Sequence, residues 1–269
     1  MSSWANKYSQ RSQRSQHIPP NHIPPNHIPP NLHQINVFLL CYNESALIPH
    51  TVKHYKKYVP SCKITIYDNE STDNSVEIAK SLGCDVVSWS SNNTFNEFLQ
   101  VHLRNTVWKK IQSGWIIMAD MDEFVCVTEN ELIEEQKSGV SIITISGKNM
   151  IGESETIDVT DIDLQDINKY IDNSSESKHL CFLREKIKEM NYGLGSHTSN
   201  PVGYIKYSSK TYINKHMEYV GLPFLINKYI KRYERCDEMR KKNINIHYTN
   251  DIDEIKNRYT TSLVESKSF

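Results

Sequence analysis

Between residues 35 and 145, short apolar runs alternate with stretches of helical periodicity, and that alternation leaves few folds open. Ile35-Asn36-Val37-Phe38-Leu39-Leu40, Lys63-Ile64-Thr65-Ile66-Tyr67, Asp85-Val86-Val87, Trp115-Ile116-Ile117-Met118-Ala119 and residues 140–145 are brief and rich in β-branched and aromatic side chains, so they read as buried strands. Between them, residues 45–58 predict a helix. A second helix runs to Leu82, with Asp73 or Asn74 as its cap, Asn74 and Glu77 at capping-box spacing, and Gly83 closing it. A third opens at Thr94-Phe95-Asn96-Glu97, again at capping-box spacing. Its apolar positions, Phe95, Phe98, Leu99, Leu103, Val107, Trp108 and Ile111, follow a helical period up to Gly114. Residues 128–137 predict a fourth. Strand and helix in alternation predict βαβ units, hence an α/β fold with a mainly parallel sheet flanked by helices. Ligands of such sheets bind beyond the carboxyl ends of the strands. That rule selects residues 41–44, 68–73 and 120–123.

All three segments are polar. Asp120 and Asp122 are two apart after five apolar residues. In extended chain they share a face, so they would converge on one hard cation, Mg²⁺ or Mn²⁺, which accepts phosphate as a co-ligand. A cation there would neutralise charge on a departing nucleoside diphosphate. Asp68-Asn69-Glu70-Ser71-Thr72-Asp73 suits either a turn with a helix cap or a hydrogen-bonding site for base and ribose. Cys41-Tyr42-Asn43-Glu44 is open to the same two readings. Three such clusters on one sheet edge are hard to explain as turns alone.

The remainder of the chain is less regular. Residues 1–34 contain His-Ile-Pro-Pro-Asn three times in tandem and predict a disordered Pro-rich tail ahead of a domain at 35–269. Three histidines in that repeat lack a scaffold that would preorganise them as metal ligands. Residues 148–178 are polar and acidic and predict a surface excursion. Residues 202–207 predict a strand, and 222–239 and 251–264 predict helices that make the C-terminal part helical. A net charge of −1 gives no electrostatic case for nucleic acid as a partner. No apolar run approaches the roughly 18 residues of a membrane span. Six cysteines without a C-x-x-C pair predict reduced thiols and a cytoplasmic setting, and the first residues lack a signal-peptide apolar region.

Val37-Phe38-Leu39-Leu40-Cys41-Tyr42-Asn43-Glu44, Ile64-Thr65-Ile66-Tyr67-Asp68-Asn69-Glu70-Ser71-Thr72-Asp73-Asn74-Ser75 and Met118-Ala119-Asp120-Met121-Asp122-Glu123-Phe124 together resemble family 2-type glycosyltransferases of the Rossmann-like GT-A fold. The likeness is nearest to the branch related to glycosyltransferase family 92, which has Asp-x-Asp-Glu-Phe in this place. It covers about residues 35–260 and is more specific in the first half. The resemblance implies that Asn43 and Glu44 line a nucleotide pocket. It also implies that Asp68 contacts the base with Asn69, Ser71 and Asp73 beside it, and that Asp120 and Asp122 hold a metal and the donor diphosphate. It implies metal-dependent transfer of a sugar from a nucleotide-diphospho-sugar to a hydroxyl of a glycan, protein or small molecule, with inversion, and Mn²⁺ or Mg²⁺ as cofactor.

In the second half, Gly195-Ser196-His197 resembles a Gly-x-His segment of that branch, with His197 either a third metal or diphosphate ligand or a structural histidine. His216-Met217-Glu218-Tyr219, Lys228, Arg232 and Arg235 match its His-Tyr and basic-helix region. Lys228 and Arg232, one turn apart, would clamp phosphate, or else form a solvated basic face. Inversion requires a carboxylate to take the acceptor proton, for which Glu185 and Glu218 are the candidates, with Glu189. A nucleotidyltransferase would call for a Gly-rich loop or a lysine near residues 41–49, which contain neither. A non-catalytic GT-A domain that binds glycan or protein is the remaining alternative.

Overall fold

The first strand, β1 (Ile35–Cys41), is buried along its whole length, and the sheet is built around it. The computed structural model describes residues 34–153, 156 and 158–269, so the expectation for residues 1–34 lies, but for Gln34, outside the described residues. The elements follow as α1 (Ile48–Tyr58), β2 (Lys63–Asp68), α2 (Ser75–Ser81), β3 (Asp85–Ser88), α3 (Glu97–Thr106), β4 (Trp115–Asp120), β5 (Glu123–Cys126), α4 (Glu129–Lys137), β6 (Ile142–Ile151), β7 (Lys169–Asp172), β8 (Cys181–Leu183), β9 (Ile187–Glu189), β10 (Val202–Gly203), β11 (Tyr207–Tyr219), α5 (Leu222–Arg235), α6 (Asp237–Arg240), α7 (Ile252–Glu265) and β12 (Lys267–Ser268). The main sheet runs β12-β7-β6-β8-β4-β1-β2-β3.

The sequence expectation of parallel βαβ units holds in the first half. β4, β1, β2 and β3 are all parallel neighbours. β1 and β4 bury both faces, which is why they read as unbroken apolar runs. Beyond β4 the sheet turns antiparallel through β8, β6 and β7. The long β11 lies parallel to β6 and carries β5 antiparallel on its other side. In register, Leu40 faces Asp120 and Cys41 faces Asp68, so three strand ends finish level. Among the described residues no helix is long and apolar enough to cross a membrane.

Several boundaries depart from the sequence reading. Asn96, not Thr94, caps α3, accepting from the Phe98 and Leu99 amides. Phe98 and Leu99, expected on its apolar face, are exposed to solvent. Residues 148–178 are not a surface excursion. Their first residues extend β6, a later stretch forms β7, and Glu176 and Lys178 are buried. Gly147 allows that approach, since a Cβ there would lie 2.4 Å from the Glu176 backbone carbon. Of 202–207, Val202–Gly203 forms a strand of its own and Tyr207 opens β11, and the helix expected over 222–239 breaks at Cys236 into α5 and α6. Thr128 closes the capping box of α4 with Glu131, and α7 forms as expected.

α1 holds the backbone after β4 in place. The hydroxyl of Thr51 donates to Met121 O (2.7 Å) and that of Tyr55 to Glu123 O (2.7 Å), and His54 Nε2 lies 3.0 Å from Val125 O. The His54 ring also stacks on Phe124 at 4.7 Å. Burial pushes the His54 pKa from 6.5 to about 4, against the hydrogen bond to Val125. The ring is neutral in the fold but takes a proton once unfolded. Its stabilising contribution is therefore complete above pH 6.5 and is lost as pH falls from 6.5 towards about 4. Between pH 7 and pH 5 this amounts to about 2 kcal/mol. The unfolding free energy from urea titrations should fall by that much more for the wild type than for His54→Gln, and parallel pH profiles would remove His54 as the cause.

Candidate active site

The level carboxyl ends of β1, β2 and β4 open into a cavity of about 350 Å³, closed on the far side by β11 and α5. After β1 the chain turns at Asn43, whose φ of 52° is left-handed and tolerable for asparagine. Its amide donates to Ser71 Oγ (2.8 Å) and its Oδ1 accepts from the Thr72 amide (2.7 Å). Asp73 accepts from the Ser45 and Ser75 amides at 3.2 and 3.0 Å. Ser71 and Asp73 therefore tie two loops together behind the cavity wall. Asn43, Glu44, Asn69 and Asp120 line the cavity, whereas Asp68, Ser71 and Asp73 do not. Asp68 Oδ2 accepts from the Ser71 amide (3.1 Å), and its buried Oδ1 has no hydrogen-bond partner. Burial, then the nearby Asp122, raises the Glu44 carboxyl to about 7, against the pull of Arg232 and Lys228.

The two aspartates do not converge on one point. β4 stops at Asp120, a turn through Met121 and Asp122 intervenes, and β5 begins at Glu123, so the extended-chain argument fails locally. The carboxylate of Asp120 pairs with the buried Arg104 of α3, and its amide donates to Glu123 Oε2 at 2.7 Å. Asp122 points the other way, towards β11 and α5. Its Oδ2 lies 2.7 Å from Lys228 Nζ, 3.5 Å from His216 Nε2 and 3.9 Å from Arg232 Nη2. Glu218 Oε2 lies 2.6 Å from the same Lys228 nitrogen and 3.5 Å from the same histidine nitrogen. His216 and Glu218 are two apart on β11 and so share a face. His216 Nδ1 is 2.8 Å from Asn149 Oδ1, which orients the ring. Burial works to raise the Asp122 pKa, but Lys228, His216 and Arg232 hold it well below the ordinary carboxylate range. Burial likewise opposes the His216 charge, and Asp122 and Glu176 overcome it to raise that pKa.

Asp122, His216 and Glu218 each present a ligand atom within 4.8 Å of the others. One nitrogen and two carboxylate oxygens suit a divalent cation. The structure thus brings Asp122 together with His216 and Glu218, and not with Asp120 and His197, the other two members of the expected donor set. His197 is half exposed, with Nδ1 2.9 Å from Ser175 O and 3.9 Å from Glu176. Glu185, a candidate base, is not in the cavity, because it accepts from the Gly114 amide (2.9 Å) on another part of the fold. Glu189 pairs with Lys109 at 2.5 Å. Glu218 is in the cavity but is bound by Lys228, and Lys228 and His216 hold its pKa low against burial.

Lys228 and Arg232 do not form a solvated face. Both are largely buried and line the cavity with Lys231 and Arg235, four cations on one side of α5. At the β2 end, the Arg235 guanidinium lies 3.2 Å from the centre of the Tyr42 ring and donates to Asn69 Oδ1 at 3.1 Å. Beside the Asp122 group, Lys178 lies 2.8 Å from Glu123 and 2.8 Å from Glu176, with all three buried. Arg104, Glu176 and Lys178 were not singled out from the sequence. Their partners are distant in the chain, and no local spacing announces them.

Residues 36–127 match glycosyl transferase family 2. The match takes in all three polar strand ends and stops before β6, β11 and α5. RfbJ of Shigella flexneri is 33% identical over 58 residues, 21% of this chain and 45% of that protein. The chain's match thus spans less than half the length of this curated relative. Among solved structures, S. aureus TarS is similar at 12% identity and TM-score 0.44, over 86% of this chain and 44% of that one. Glucosyl-3-phosphoglycerate synthase from Mycobacterium tuberculosis, solved with Mn²⁺, uridine diphosphate and glucosyl-3-phosphoglycerate, is similar at 16% identity and TM-score 0.31, over 43% and 44%. Likeness at these scores assigns no residue and no substrate.

Proposed function

We propose that the chain is a glycosyltransferase taking a nucleotide-diphospho-sugar as donor, with a divalent cation held by Asp122, His216 and Glu218. The observation that carries this reading is the meeting of that donor group with the cationic side of α5, at the carboxyl ends of strands whose sequence matches glycosyl transferase family 2. The chemistry of the donor set fits Mn²⁺ or Mg²⁺, which would offset the negative charge of a leaving nucleoside diphosphate. The finer likeness to the family 92 branch rests on the sequence resemblance, chiefly Asp120-Met121-Asp122-Glu123-Phe124.

The chain's own residues divide the remaining work. Tyr42 and Asn69, with Arg235, border the end suited to the base. Asp68 does not line the cavity, and its buried Oδ1 is left without a hydrogen-bond partner beside Asn69. Asn43, Glu44 and Asp120 follow along the cavity, with Asp120 aimed by Arg104. Arg232 and Lys231 line the side suited to the diphosphate, and a hydroxyl of a glycan, protein or small molecule is the acceptor. For inverting transfer the proton must pass to a cavity carboxylate. With Glu185 outside and Glu218 assigned to the cation, Glu44 and Glu97 are the cavity carboxylates left for that role. All six cysteines are free, in keeping with a cytoplasmic setting as part of this reading.

The test is nucleoside diphosphate release from a panel of uridine-, guanosine- and cytidine-diphospho-sugars by the full chain in Mn²⁺. Slow, saturable donor hydrolysis that chelator abolishes is the expected outcome. Saturable donor binding without release would favour a non-catalytic glycan- or protein-binding domain, and neither binding nor release with any donor would sink the donor reading.

A further inference from the structure

The two oxygens that face His216 are the same two that bind Lys228. Asp122 Oδ2 and Glu218 Oε2 each lie 3.5 Å from His216 Nε2, and they lie 2.7 and 2.6 Å from Lys228 Nζ. The ammonium is therefore centred on the ligand group itself, not at its rim. A divalent cation bound by Asp122 and Glu218 has to take these oxygens from Lys228, because two cations cannot share one buried pair of carboxylates. The displaced side chain does not leave the site. Lys228 stands on the side of α5 that also presents Lys231, Arg232 and Arg235 to the cavity. An anion held by those groups would receive its charge.

We infer that Lys228 is a built-in competitor for the metal position, which a divalent cation displaces and a diphosphate takes up. Metal alone binds weakly because it must uncouple Lys228 from two carboxylates. Diphosphate alone binds weakly because Lys228 is already engaged. Bound together, each removes the obstacle to the other, so metal and diphosphate are positively coupled through one side chain. The competition between Lys228 and the metal stands on the distances alone. The coupling to diphosphate rests on the donor reading above.

The experiment is a calorimetric titration of the full chain with Mn²⁺, with and without uridine or guanosine diphosphate, for the wild type, Lys228→Met and Lys228→Gln. Without nucleotide, the two neutral variants should bind Mn²⁺ on the order of tenfold more tightly than the wild type. The diphosphate should then raise Mn²⁺ affinity more in the wild type than in either variant. Mn²⁺ affinity that is unchanged, weaker or absent in folded neutral variants overturns the competition. If a neutral variant folds only when Mn²⁺ is present, the metal has replaced the lost ammonium and the inference is supported. If both variants stay unfolded with Mn²⁺, it falls. Tighter Mn²⁺ binding with no response to either nucleotide leaves the competition standing and removes the donor reading. Nucleotide binding with Mn²⁺ affinity unchanged does the reverse.

Discussion

Asp122→Asn is expected to abolish Mn²⁺ binding and to lower donor turnover by on the order of a thousandfold or more. The substitution keeps the volume of the side chain and removes the one carboxylate that faces His216, Lys228 and Arg232 together. The fold should survive, since Lys228 keeps Glu218 at 2.6 Å as its partner. Asp120→Asn should behave differently. Asp120 pairs with Arg104, away from the ligand group, so its loss should weaken donor binding while leaving Mn²⁺ affinity in the absence of nucleotide close to the wild-type value. The checks are calorimetry for the metal and diphosphate release for turnover. Equal loss of Mn²⁺ binding in both variants would restore the simpler picture of one cation held by both aspartates.

The largest effect on stability should come from Lys178→Met. Lys178 is buried between Glu123 and Glu176, 2.8 Å from each, and its removal strands two carboxylates away from water. Breaking a buried ion pair in this way costs about 3–5 kcal/mol, enough to consume a large part of a typical domain's stability. The companion variant Lys178→Met/Glu123→Gln/Glu176→Gln removes all three charges and should regain much of the loss, because an uncharged group has far less hydration to lose. Urea denaturation of both variants decides the matter. A cost below about 1 kcal/mol for Lys178→Met would mean that water reaches these groups.

How far the molecule was legible in its sequence can be traced residue by residue. β1 and β4 were readable because strands buried on both faces need continuous apolar runs, and the level strand ends followed from the rule for parallel sheets. That route leads to Asn43, Glu44, Asn69, Asp120 and Asp122, which line the cavity. The second half resisted for a physical reason. Its strands β7, β8, β9 and β10 are two to four residues long and carry no period to detect. Glu176 and Lys178 look like solvent-facing residues until the pairing across 55 residues with Glu123 is known. His216 was in view as part of a resemblance, but only the parallel and antiparallel neighbours of β11 show that it, and not His197, stands beside Asp122. The turn at Met121 and Asp122 was missed because local spacing cannot tell one extended strand from two strands joined by a bend.

β5 is four residues long and is held in the sheet by β11 alone, where Glu123 faces His216 and Val125 faces Asn214. This pairing is also the ruler that spaces Asp122 from His216 and Glu218. A single-residue insertion or deletion within the facing part of β11 would turn His216 and Glu218 to the opposite side of the sheet. A two-residue change would keep the side but slide them by about 7 Å along the strand, beyond the reach of Asp122. The ligand set is thus a matter of counting. Natural variants of this chain should vary in length in the loops between strands before they vary along this pairing.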